Sequence, residues 1–89
     1  MSMDERSADR LQFPCECHFR IIAFNRPGMF EALEAVLKHL GVTAPLEVSH
    51  TSKDGTYKSF CFSMPVWSRE EMDTVDRALR AVDGVKMVL

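Results

Sequence analysis

The sequence predicts a single α+β domain of β-α-β-β-α-β order, on three observations. Two segments, Cys15 to Phe24 and Tyr57 to Met64, alternate with period two. Two others, beginning near Pro27 and at Ser68, repeat apolar residues at spacings of three and four. Glycine, proline and Asp-Gly punctuation separates all of them. The 89 residues leave room for one modest core.

In the first strand, Cys17, Phe19, Ile21 and Ala23 alternate with His18, Arg20, Ile22 and Phe24. The former set is the more uniformly apolar and predicts the buried side. Asn25-Arg26-Pro27-Gly28 breaks the strand. Pro27 suits a first helical turn, since its ring fixes φ and its missing N–H needs no partner. Phe30, Leu33, Leu37 and Leu40 then form the stripe of an amphipathic helix ending at Gly41. Leu46 to Ser52 predicts a weaker strand, with Leu46 and Val48 on one side. Lys53-Asp54-Gly55 is a tight-turn signal, so this strand pairs antiparallel with Tyr57 to Met64.

Ser68 and Glu71 have the capping-box spacing, and Trp67 and Met72 stand where a hydrophobic staple would place them. Met72, Val75, Leu79 and Val82 continue the apolar stripe to Gly84. Val85 to Leu89 predicts the last strand. This order fits a ferredoxin-like plait, a four-stranded antiparallel sheet with two helices on one face. Leu33, Leu37, Val75 and Leu79 would then meet Phe19, Ile21, Phe60, Phe62, Val85 and Met87. The polar stretch 1–12 reads as a flexible tail and 13–89 as the domain.

A hydrophobic share of 46% with 27% charged residues is ordinary for a globular protein. The net charge of −2 gives little attraction to nucleic acid or anionic membranes. Nothing approaches a membrane span or a secretory leader, and the free cysteines suit a reducing compartment, so the expected setting is cytoplasmic. Cys15 and Cys17 flank one residue, which is neither structural zinc spacing nor good bridging geometry. With Cys61 they read as packed thiols, and no metal or other cofactor is expected.

From Phe13-Pro14 onward the chain resembles the YbeD family of small bacterial proteins. The resemblance rests on the Phe-Pro entry, Tyr57-Lys58-Ser59, the alternating third strand and the terminal Lys86-Met87-Val88-Leu89. It implies a domain similar to the ACT regulatory domains, and no established activity; the family's genes often neighbour those of lipoate metabolism. Asn25-Arg26-Pro27-Gly28-Met29 is similar to the Asp-Arg-Pro-Gly-Leu segment with which ACT domains help bind an amino acid, commonly at a dimer interface. Asn25 replaces the Asp, removing a carboxylate suited to a ligand ammonium group.

These residues are therefore the candidate ligand loop, at a helix N-terminus whose amides favour an anion. The competing reading is a purely structural strand-to-helix turn. The outer face of the sheet, carrying His18, Arg20, Ile22, Phe24, Lys86 and Val88, is unusually apolar for a free surface and predicts an interface. Its partner would be a second copy or a larger enzyme. Lys58 to Phe62 faintly echoes the aromatic strand of RNA-recognition domains, which would require Phe60 and Phe62 to point outward. Alternation with Ser59 and Ser63 argues against that. The acylphosphatase loop is absent between Phe24 and Phe30, and no nucleophile neighbours a base, so no enzyme is expected. The reading is a non-catalytic regulatory domain, small-molecule-responsive or protein-binding, with an amino acid or small carboxylate as the candidate ligand; the alternatives are a pure protein-interaction module with no ligand and, behind it, an RNA-binding domain.

Overall fold

A computed structural model describes residues 14–89; the expected tail lies outside them. The elements are β1 (Cys15–Phe24), α1 (Met29–His39), β2 (Glu47–Thr51), β3 (Tyr57–Val66), α2 (Arg69–Arg80) and β4 (Val85–Val88). The order is the one the periodicities predict. All neighbouring strands are antiparallel, in the sheet order β2-β3-β1-β4.

The long β1–β3 ladder sets the register, pairing Phe19 with Phe62 and Ile21 with Phe60. These four side chains share one face, and all are buried with Leu33 and Leu37 of α1 and Val75 and Leu79 of α2. The Phe19 and Phe62 rings stack at 4.9 Å, while Phe30 tilts over Phe60 at 6.2 Å. Rings packed in this way belong to the core. They are not available to stack bases.

Local chemistry closes each element. Gly41, at φ 82°, ends α1. Its N–H donates to Lys38 O and that of Val42 to Leu37 O, the paired bonds of a Schellman motif. At α2 the Glu71 N–H donates to Ser68 Oγ (3.1 Å), as the sequence predicts, and the Glu71 carboxylate accepts from the Trp67 N–H at 2.7 Å. The expected staple is weak. Trp67 is 66% exposed, whereas Met72 packs against the core.

Two bulges change sidedness. Between Ile22 and Ala23 the β4 register slips, so Val88 lies opposite Ile21 and Met87 opposite Ile22. One extra residue inverts every position beyond it. Val88, expected on the outer face, is therefore buried at 4% exposure, and Met87, expected inside, is 42% exposed. A second slip between Val48 and His50 turns His50 toward the Ser59 side.

Candidate functional site

The loop after β1 is built by a β-turn. Arg26 O accepts from the Met29 N–H at 3.2 Å, and Gly28 has φ 82° and ψ −2°. Pro before such a glycine is the sequence of a type II turn, which demands positive φ at its third residue. Pro27 therefore sits in the turn, not in the helix as expected. The turn delivers the chain into α1, with Gly28 as N-cap and its carbonyl accepting from the Ala32 N–H. No side chain caps this end. The next two amides, of Phe30 and Glu31, point out of the first turn.

Asn25 has a structural task. Its backbone N–H donates to Thr56 O and its side-chain amide to Gly55 O, tying the loop to the β2–β3 turn. Arg26 is held on two sides. Its guanidinium bonds Asp83 at 3.2 Å and lies 5.2 Å from the centre of the Phe24 ring. Gly84 stands close beneath, at φ 99°, where a Cβ would come within 2.6 Å of the Met29 terminal methyl and 3.0 Å of the guanidinium. Met29 itself is buried and anchors the turn to the core.

Around this turn lies an open depression of about 430 Å³, bounded by the loop, Phe30, Glu31, Val48, Lys58 and Phe60. Lys58 is not among the site residues that the sequence predicts. Its signal was present, because Lys58 falls in phase with Phe60 and Phe62 and so is a cation on the helix-facing side of β3. It supplies the positive charge that the turn's glycine and proline lack.

The outer face is a separate surface. His18 Nδ1 and Ser63 Oγ are 2.6 Å apart, and Arg20 exchanges backbone bonds with Leu89. Phe24 stacks on Tyr57 at 5.2 Å. Ile22 is half-buried beside Met87, Leu89 is 64% exposed, and Lys86 is exposed within the bulge. Of the expected interface residues, all but Val88 are on or beside this face. Met87, Leu89 and Tyr57 join them. A second depression, of about 640 Å³, opens among His18, Arg20, Glu47, Cys61, Ser63 and Leu89. Among the described residues no three His, Cys, Asp or Glu side chains converge on a metal position, and no helix is long and apolar enough to cross a membrane.

Fold and loop together define the class: an ACT-like plait whose first βα turn opens at the end of the sheet. The ACT domain of the GTP pyrophosphokinase from Chlorobium tepidum superposes with a TM-score of 0.61 over 83% of this chain and 94% of that one, at 21% identity. A solution structure of a Helicobacter pylori protein gives 0.79 over 100% and 96%, at 22% identity. These likenesses concern the fold. A family model described as a protein of unknown function (DUF493) matches residues 8–89, and the chain belongs to that family. A UPF0250 protein of Shewanella sediminis is 32% identical over 98% of this chain and 99% of its own.

Proposed function

We propose that this protein is a non-catalytic regulatory domain that binds an amino acid or small carboxylate at the turn Asn25 to Met29. One observation carries the reading. The uncapped N-terminus of α1 opens onto a depression whose wall carries Lys58. Two free amides, the positive end of a helix dipole and an ammonium group form a complementary environment for a carboxylate. Phe30 and Val48 offer apolar surface for the remainder of a small molecule. Arg26 is committed to Asp83 and Phe24, so the charge that meets the ligand is assigned to Lys58.

Titration of ¹⁵N-labelled protein with amino acids and simple carboxylates tests this. The Phe30 and Glu31 amides shift in a saturable way, and Lys58→Ala abolishes the shift without unfolding the domain. Amides from Arg26 to Glu31 that stay still at millimolar ligand defeat the proposal.

A second reading is favoured by the outer face, where Ile22, Phe24, Tyr57, Met87 and Leu89 form a nearly continuous apolar tract. It supports self-association or docking onto a larger enzyme. Sedimentation distinguishes this: Ile22→Asp shifts a dimer to monomer, whereas a wild-type chain monomeric at high concentration removes the self-association arm.

A further inference from the structure

Three sulfur atoms gather where the start of β1 runs beneath the first turns of α2. Cys15 and Cys17 are two residues apart on one strand, so both side chains leave its helix-facing side. Their Sγ atoms are 3.8 Å apart. Cys17 Sγ also lies 3.9 Å from Met72 Sδ. Both cysteines are free thiols, and all three side chains are half-buried. Met64, the cross-strand partner of Cys17, brings a further thioether to the same face. A depression of about 300 Å³ bordered by Cys17, Met72, Asp73 and Asp76 leads out to solvent.

The spacing discriminates between two kinds of thiol chemistry. A disulfide needs sulfurs about 2.05 Å apart, and alternate residues of an extended strand hold their Cα atoms at about 6.5–7 Å, the limit of bridging geometry. The ladder to Val66 and Met64 keeps this segment extended. Two sulfurs that share a metal at about 2.3 Å stand about 3.8–4.0 Å apart at tetrahedral to trigonal angles. Both observed separations match the second arrangement without backbone movement. Donor type then selects the metal. Two thiolates and a thioether form a soft set, suited to monovalent copper, whereas zinc sites draw on thiolate, imidazole and carboxylate.

We propose that Cys15, Cys17 and Met72 form a binding site for Cu(I). Binding is ligand exchange: two S–H bonds break, Cu–S bonds form, two protons pass to solvent, and no electron is transferred. Copper therefore competes with protons, and affinity increases with pH. The site is at the opposite end of β1 from Arg26, so it stands independently of the carboxylate proposal.

The test is anaerobic titration of the reduced full chain with Cu(I) against a chromogenic Cu(I) chelator. The expected result is one equivalent bound. Cys15→Ser and Cys17→Ser remove it, Met72→Leu weakens it by at least about tenfold, and Cys61→Ser leaves it intact. Met72→Leu preserves apolar volume, so its binding loss is separable from unfolding by circular dichroism. Uptake that ignores Met72→Leu, follows Cys61, or is no tighter than that of a simple thiol overturns the proposal.

Discussion

The β4 bulge makes a prediction that inverts the simple alternation of the last strand. Val88 lies opposite Ile21, at 4% exposure, while Met87 emerges beside Ile22 at 42%. Val88→Ala deletes two buried methyl-sized groups at about 0.8 kcal/mol each by transfer, and incomplete collapse of the cavity brings the cost to about 2 kcal/mol. For a domain of this size that lowers Tm by about 8–16 °C. Val88→Thr keeps the shape but places a hydroxyl in the core, costing about 1–3 kcal/mol. The same two changes at Met87 remove a half-exposed chain and cost at most about 1 kcal/mol. Thermal melts and urea titrations of the four variants, with m unchanged, provide the measurement. If Met87 proves the costlier position, the register is wrong, and the Ile22–Met87 surface disappears with it.

Three further outcomes follow from the turns and caps. Ser68→Ala leaves the Glu71 amide without its 3.1 Å acceptor and destabilises the domain by about 1 kcal/mol, measurable by urea titration, whereas Ser68→Asp retains most of the cap. Gly84→Ala forces an alanine to φ 99° against Met29 and Arg26; about 1–2 kcal/mol is lost, and amide shifts spread to the loop after β1, which a purely local effect would spare. At the β2–β3 turn, hydrogen bonds from the Thr56 amide and Ser52 hydroxyl hold the Asp54 carboxyl below its ordinary pKa. The ionised form is thus favoured by folding, so the advantage of wild type over Asp54→Ala is full above the ordinary carboxylate range. It fades as pH falls through the lowered value, and paired melts across acidic pH should converge; parallel curves would refute it.

The fold was legible because its patterns are long. Cys17-Phe19-Ile21-Ala23 and Phe60-Phe62-Met64 each repeat for several residues, and one β1–β3 register buries both sets. The β4 strand is four residues and nearly all apolar, so its sequence carries no alternation from which a bulge could be read. The bulge is decided by packing: a short strand places whichever side chain fills the space beside Ile21 and α2. Pro27 is ambiguous in the sequence for a related reason. A proline before glycine satisfies both a helix start and a type II turn, and only the observed φ of Gly28 separates them. At the loop, Arg26 was visible as a cation, but its engagement by Asp83 links residues 57 positions apart. No local pattern reports such a pair, and so the sequence alone leaves Arg26 looking free to meet a ligand.

That engagement also limits what the loop can do as a regulator. The Arg26–Asp83 pair has side chains 48% and 99% exposed, so screening leaves it worth at most about 1 kcal/mol. Contact with the Phe24 ring contributes about 0.5–1 kcal/mol more. Phe24 in turn stacks on Tyr57, part of the outer apolar face. A ligand whose body displaced Arg26 while its carboxylate rested on Lys58 would free one side of that stack, so the turn and the outer face share an element that either occupant can bias. The coupling transmitted cannot exceed the energy of the contacts exchanged. About 1.5–2 kcal/mol is a change of roughly tenfold to thirtyfold in affinity at the second site, enough for a graded modulator and too small for an all-or-none switch. Under the regulatory reading, this chain therefore adjusts a partner's affinity by degrees.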